Sequence, residues 1–142
     1  MKRNVLFLLF TLVFTGSMVF GLDYTIELVD SYGDGWSGGS IDVLVNGVVI
    51  LDDITLASGG GPEAHTFAVV VDDVITTAYT AGSYSYENEY QIKDETTTVV
   101  AESGQGGVTP GDILYTVPNP DAPGDPTNPN PADDATGVAI SG

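Results

Sequence analysis

The stretch IDVLVNGVVILDDI, residues 41–54, decides the fold class because it reads as two strands joined by one tight turn. Ile41, Val43 and Val45 occupy alternate positions, which is the period of a strand with one buried face. Asn46 and Gly47 then supply the two positive-φ residues of a type I′ turn. The stretch therefore predicts a β-hairpin.

Runs of similar composition flank this hairpin on both sides. They are rich in β-branched and aromatic residues, lie between Gly, Asp and Asn, and lack the 3.6-residue apolar period of helices. Asp72-Asp73 is expected to close a second hairpin. About eight strands at this spacing predict an all-β fold, an antiparallel two-sheet sandwich of the jelly-roll or a related type. The further predicted strands are 24–29, 65–71, 74–80, 84–92, 97–101 and 112–117.

The amino terminus, residues 1–21, has the three-part layout of a secretory signal peptide. Lys2 and Arg3 precede the apolar run 5–14, and small and mixed residues follow it. We expect cleavage after residue 21, with 15–17 as a second candidate position. An uncleaved signal anchor is the alternative, although the run is shorter than the roughly 20 apolar residues that span a bilayer. A secreted or cell-surface location is predicted, with no membrane insertion after cleavage.

The charge of the chain narrows the set of partners. Once residues 1–21 are removed, Lys93 is the one Lys or Arg that remains, whereas all 20 acidic residues remain, so the net charge is −19. Such a chain repels nucleic-acid phosphates and anionic membranes, and it attracts divalent cations. A merely solubilising acidic surface is the alternative. Because the chain has no cysteine, disulfides and lipid attachment at a cysteine are excluded.

Composition also divides the chain into segments. Residues 22–117 combine apolar alternation with turn residues, as one small domain requires. Residues 118–131, PNPDAPGDPTNPNP, hold six prolines in fourteen positions and predict an extended linker. Residues 132–142 regain alternation and are expected to begin a further domain that the sequence leaves truncated.

The segment DSYGDGWSGG, residues 30–39, lies between the first strand and the hairpin, where a sandwich exposes its end loops. Asp30 and Asp34 place two hard oxygen ligands within one short, glycine-rich turn. Calcium takes about six to eight oxygens, which include backbone carbonyls. An EF-hand is excluded because Ile41 stands where that loop needs its bidentate acid. Calcium is therefore the expected cofactor of a different kind of site.

Such a site needs acids from elsewhere in the chain. The best candidates are Glu87 and Glu89, which share one face if residues 84–92 form a strand. Asp72 and Asp73 are further candidates. The alternative for the two loop aspartates is that they accept hydrogen bonds from their own backbone as Asx-turns.

Trp36 is the only tryptophan, and two roles are open to it. It either plugs the open end of the sandwich or presents its ring face to a sugar, assisted by Tyr32, Tyr84 and Tyr86. Aromatic faces with nearby polar groups suit carbohydrate, although tyrosines are also ordinary strand residues. Exposure of the indole separates the two roles, because a stacked sugar needs an open ring face.

Two motifs carry a resemblance to a known kind of domain: D-x-x-G-D-G-W at 30–36 and G-x-Y-x-x-E at 82–87. Residues 23–104 resemble a GDGW-motif module of secreted surface proteins in Bacteroidetes and related bacteria. The resemblance implies a CUB-like or jelly-roll sandwich that acts as an accessory module beside peptidases, fibronectin type III repeats and sorting domains. Its implied signature residues are Asp30, Asp34, Gly35, Trp36 and Glu87.

The tail PTNPNPADDATGVAIS, residues 126–141, resembles the linker and first strand of a fibronectin type III-like domain. The chain departs from the family pattern because the remainder of that domain is lacking. We therefore expect an amino-terminal piece of a longer protein.

Catalysis is not expected. His65 is the only histidine and no nucleophile motif accompanies it, while zinc would lack its usual nitrogen and sulfur ligands. Two functions remain: a non-catalytic recognition module that binds a glycan or a cell-surface protein, or a structural spacer with no ligand of its own. In either case the downstream domains of the same chain are expected partners.

Overall fold

A computed structural model of the chain describes residues 21–120. The predicted signal peptide, except Gly21, lies outside the described residues, as do most of the linker and the whole of segment 132–142. Eight strands and one short 3-10 helix, Ser85–Glu87, form the described part. The strands are β1 Leu22–Asp30, β2 Ser40–Val45, β3 Val48–Ile54, β4 Glu63–Val69, β5 Val74–Thr80, β6 Asn88–Lys93, β7 Val99–Ser103 and β8 Leu114–Thr116.

The strands form two antiparallel four-stranded sheets, which confirms the predicted sandwich. The strand order is β4-β1-β6-β7 in one sheet and β3-β2-β5-β8 in the other. Period-two alternation supplies the core between them, because every second residue is buried from Tyr24 onward in β1 and from Asn88 onward in β6. The largest fully buried side chains are Trp36, Tyr24, Tyr90 and five Ile or Leu residues.

The predicted hairpin at 41–54 is confirmed. β2 and β3 pair around Asn46 and Gly47, whose φ angles of 51° and 79° are those of a type I′ turn. The register shifts on both sides of Val43, so the pairing is not regular along its whole length. β3 is the edge of its sheet, and it leaves Val48 and Val49 exposed.

The second predicted hairpin is wrong. β4 pairs with β1, whereas β5 pairs with β2 in the other sheet. Asp72-Asp73 therefore lies in a connection that crosses from one sheet to the other. The Asp73 carboxylate accepts a hydrogen bond from the Val70 backbone N–H at 2.8 Å and another from the Asn46 side chain. This aspartate holds the crossover in place beside the Leu22 end of β1, which is the end of that strand opposite Asp30.

The predicted strand 84–92 begins later than expected. Residues 85–87 form the 3-10 helix, and Tyr84 before it has a left-handed φ of 56°. Strand β6 starts only at Asn88. The alternation of side chains therefore restarts there, which changes where Glu87 lies relative to Glu89.

The chain enters and leaves the sandwich at the same end. Leu22, Pro118 and Pro120 line one shallow cavity of about 240 Å³. Asp30 lies at the opposite end of β1, and nine residues at about 3.3 Å each separate these ends by roughly 30 Å. Within residues 21–120 no helix is long and apolar enough to cross a membrane.

Candidate metal and ligand site

Trp36 anchors the loop of residues 31–39 to the core. Its side chain is fully buried, and its indole N–H donates to the Val29 carbonyl at 2.8 Å. Its backbone N–H donates to the Leu56 carbonyl at 2.8 Å, and its ring meets Tyr79 edge-on at 5.7 Å. The prediction that Trp36 offers a stacking face to a ligand is therefore wrong, because no ring face is open.

Gly35 explains why a glycine precedes the tryptophan. Its φ is +94°, and a Cβ built there would lie 2.7 Å from the Leu56 carbonyl oxygen. Only glycine combines that backbone conformation with so close an approach. The buried pair Gly35 and Trp36 thus presses the loop against residues 56–58, and Asp34 is left at the surface beside it.

Asp30 ends β1 with its side chain directed inward, where it is only 3% exposed. Its Oδ1 accepts hydrogen bonds from the Gly33 N–H and from the Asp34 N–H, the latter at 3.2 Å. This oxygen therefore does accept hydrogen bonds from its own backbone, as in the Asx-turn alternative, but from residues three and four positions on rather than two. The other oxygen, Oδ2, is buried without a hydrogen-bond partner, so half of the carboxylate is left for something else.

Three carboxylates converge at this end of the sandwich. Asp30, Asp34 and Glu87 each place one oxygen so that all three oxygens lie within 4.8 Å of one another. Glu87 arrives from the 3-10 helix, and its backbone carbonyl accepts hydrogen bonds from the Ser31 N–H at 2.8 Å and from the Ser31 hydroxyl at 3.1 Å. This spacing is suited to holding a metal ion, since hard cations gather several carboxylate oxygens.

Glu89 is not part of this group, which corrects its prediction as a ligand. Asn88 and Tyr90 on either side of it point inward and are buried, so Glu89 faces outward on β6. The expectation that Glu87 and Glu89 share a face assumed one continuous strand. The 3-10 helix breaks that strand and separates the two glutamates.

The three predicted tyrosines lie together on the surface. Tyr32, Tyr84 and Tyr86 are 76%, 61% and 51% exposed. With Asp34 and Glu87 they line a groove of about 370 Å³, hereafter the tyrosine groove. Tyr84 and Tyr86 meet edge to face, with ring centroids 6.3 Å apart. Two of the three convergent carboxylates and the exposed aromatic rings therefore line one cavity.

Tyr86 keeps its proton at neutral pH. Partial desolvation of the phenol, followed by the negative charge of the neighbouring Glu87, raises the pKa of Tyr86 above its usual value. The groove thus offers a neutral hydroxyl beside a carboxylate. This pairing can both donate hydrogen bonds to a polar ligand and accept them from it.

Asn88 is a site residue that the sequence analysis missed. It is 1% exposed and lies directly opposite Asp30 in the pairing of β1 with β6. Its Nδ2 donates to the Tyr79 hydroxyl at 2.7 Å, whereas its Oδ1 is buried without a partner. The sequence signal that could have identified it is the order Glu-Asn-Glu at 87–89. If the strand begins at residue 88, the side chain that faces inward is the amide of Asn88.

His65 lies apart from this groove. On β4 its Nε2 is 3.1 Å from an oxygen of Glu63, and neither residue lines the tyrosine groove. No protein-family model, no curated protein and no solved structure matches this chain.

Proposed function

We propose that this chain is a non-catalytic recognition module of a secreted or cell-surface multidomain protein, and that it binds a neutral glycan in the tyrosine groove beside a calcium ion. Asp30, Asp34 and Glu87 are the proposed calcium ligands. Tyr32, Tyr84 and Tyr86 are the proposed glycan contacts. The resemblance to GDGW-motif surface modules agrees with this assignment, and enzymatic activity is not part of it.

The observation that carries the proposal is the meeting of three exposed tyrosine rings with two of the three convergent carboxylates in one groove. Exposed aromatic rings grouped around a cavity are typical of binding sites. A tyrosine offers an apolar face for a sugar ring and a hydroxyl for the hydroxyl groups of that sugar. Core packing does not explain side chains that are more than half exposed.

Calcium is the cation that the donor set favours. All three ligands are carboxylates, and the chain contains one histidine and no cysteine, so the nitrogen and sulfur ligands of zinc are lacking. Asp34 is exposed and Glu87 is half-buried, so a bound cation would keep a side open to the groove. Hydroxyl oxygens of a glycan would complete its coordination from that side.

The placement of the groove suits recognition. It lies at the end of β1 that carries Asp30, roughly 30 Å from the end where Leu22 and Pro118 connect the sandwich to the rest of the chain. A ligand would therefore approach the groove away from those connections. The net negative charge disfavours anionic glycans, which is why neutral ones are proposed.

A spacer role is the second candidate, and the burial of Trp36 favours it. In that role the glycine-rich loop and its cation would only stiffen the end of the domain. The tyrosine groove would then have no ligand.

The test is a screen of the purified protein against immobilised neutral and acidic glycans, in calcium and then in excess chelator. We expect binding to a neutral glycan that chelator abolishes. Tyr84→Ala and Tyr86→Ala should each lose most of it without a change in melting temperature. Leu114→Ala is the matched control, because Leu114 is 74% exposed on the other sheet. Absence of any glycan binding by the wild-type protein would favour the spacer role.

A further inference from the structure

Asp30 and Asn88 form a buried polar pair on the inner face of one sheet. They are register partners in the antiparallel pairing of β1 with β6, so their Cβ atoms lie about 5 Å apart. Asp30 continues the inward series of β1, and Asn88 begins the inward series of β6. Both side chains are more than nine-tenths buried. Asp30 connects this pair to the groove, because one of its carboxylate oxygens lies within 4.8 Å of an oxygen of Asp34 and of Glu87.

Each member of this pair has one oxygen with no hydrogen-bond partner: Oδ2 of Asp30 and Oδ1 of Asn88. These are the only two such side-chain atoms among the buried groups of residues 21–120. Buried polar atoms without partners are rare because desolvation is not repaid. Two unpartnered acceptor oxygens on register-paired residues are suited to a bound cation, which interacts with such oxygens directly.

We propose that Asn88 Oδ1 is a fourth ligand of the metal, an inference that rests on the calcium site of the proposed function. Asp30 Oδ2 and Asn88 Oδ1 then form the buried floor of the site. Asp34 and Glu87 form the wall that faces the tyrosine groove. A mixture of carboxylate and amide oxygens is usual for calcium, which accepts about six to eight ligands in flexible geometry, whereas magnesium demands a strict octahedron.

Asn88 also connects the metal to the anchor of the loop. Its Nδ2 donates to the Tyr79 hydroxyl, which orients the amide so that Oδ1 turns away from Tyr79. Tyr79 in turn packs edge-on against Trp36. A cation drawn onto Asn88 therefore changes the surroundings of the only tryptophan, and Trp36 fluorescence reports its binding.

A rotated Asn88 amide is the competing explanation for the two unpartnered oxygens. In that orientation Nδ2 would donate to Asp30 Oδ2, and Oδ1 would accept from the Tyr79 hydroxyl. Asn88 would then compete with the metal for Asp30. Removal of its side chain would leave calcium affinity unchanged or raise it, which is the opposite of what a direct ligand predicts.

The experiment is calcium titration of the full chain by calorimetry, for the wild type, Asn88→Ala, Asn88→Asp and Glu89→Gln. We expect Asn88→Ala to weaken calcium binding by at least about 10-fold, since removal of even an outer-shell partner costs about 10- to 100-fold. Asn88→Asp should retain or strengthen binding because the variant keeps an oxygen in the same place. Glu89→Gln removes a carboxylate from the outer face of the same strand, and should leave the affinity within about twofold.

A second measurement separates ligation from a structural effect. Terbium replaces calcium in oxygen sites, and its luminescence lifetimes in H₂O and D₂O count the water molecules bound to the ion. We expect about one additional bound water in Asn88→Ala relative to the wild type, since water takes the vacated position. Circular dichroism confirms that each variant is folded before it is titrated.

The outcomes are distinct. Wild-type binding with weaker binding and an extra water in Asn88→Ala supports the inference. Wild-type binding that Asn88→Ala leaves unchanged or strengthens overturns the inference and leaves the proposed calcium site standing. An Asn88→Ala variant that binds weakly with no additional water also overturns it. A wild-type protein that binds no calcium overturns both.

Discussion

Replacement of Trp36 by phenylalanine separates a core anchor from a ligand platform, because phenylalanine keeps an aromatic face and loses the indole N–H. In the wild type that N–H donates to the Val29 carbonyl, and the ring is fully buried against Tyr79. We therefore expect Trp36→Phe to destabilise the domain substantially. The folded fraction of this variant should bind glycan as the wild type does.

The expected loss in the free energy of unfolding has two contributions. The Val29 carbonyl loses its indole donor, and because Val29 is only partly buried this costs about 1–2 kcal/mol, the lower part of the range for an unpartnered group. The space left by the second ring adds about 1–2 kcal/mol, less than complete truncation of a buried aromatic residue. The free energy of unfolding should fall by about 2–4 kcal/mol, which for a domain of this size lowers the melting temperature by roughly 10–30 °C.

The assay is thermal unfolding followed by circular dichroism, at one calcium concentration for all variants. Tyr86→Phe is the control, because it also removes one polar group from an aromatic ring but at an exposed position, where the effect should stay within about 0.5 kcal/mol. A fall of less than about 5 °C for Trp36→Phe together with lost glycan binding would refute the anchor role.

Three further outcomes are expected. Asp34→Ala should lower the melting temperature in calcium and leave it unchanged in chelator, because Asp34 is exposed and acts through the cation; equal losses in both would exclude the metal site. Gly35→Ala should cost at least about 2 kcal/mol in urea unfolding, against about 1 kcal/mol for Gly33→Ala, which has a similar φ but open space. Hydrogen bonds from Lys93 lower the pKa of Glu27, so its stabilising effect is present at neutral pH and is lost as the pH falls below about 4. The urea midpoints of wild type and Glu27→Gln should therefore differ at pH 7, and the difference should shrink as the pH is lowered through the acid range.

Local chemistry made the β2–β3 hairpin predictable. A type I′ turn needs two residues that tolerate positive φ, and Asn46-Gly47 is the pair best suited to it. The inward series of β1 was predictable for a similar reason, since Tyr24, Ile26 and Leu28 alternate with polar residues. In both cases the information lies within a few residues of the feature that it determines.

Pairing between distant strands decided the features that were predicted wrongly. Strands β4 and β5 are joined by a short acidic turn that looks like a hairpin, yet each pairs with a different earlier strand. Residues within the turn do not show which partner is available. The assignment depends on β1 and β2, whose positions lie 40 or so residues earlier in the chain.

The site was partly predictable from the sequence, and the two errors of prediction, at Glu89 and Asn88, have a common cause. Asp30 and Asp34 were predicted from the loop segment and Glu87 as an acid from a later strand, and these three do converge. Glu89 was added because alternation was extended through residues that form a 3-10 helix instead. Asn88 was missed for the same reason, since one position of offset exchanges the inward and outward faces of a strand.

The composition of the segment 30–39 has a single physical explanation if a cation is bound. Trp36 and Gly35 fix the backbone of the loop against the core, and that backbone brings the Asp34 carboxylate close to Glu87. The chain has no disulfide to join the first strand to residues 87 and 88, and a calcium ion would make that connection between segments more than 50 residues apart. Because these ligands come together only in the folded chain, the cation would stabilise the domain by binding that state, and it would order the groove at the same time. Stiffness and recognition are then two results of the same bound ion, and they separate in variants of Tyr32, Tyr84 and Tyr86, which line the groove and are not proposed metal ligands.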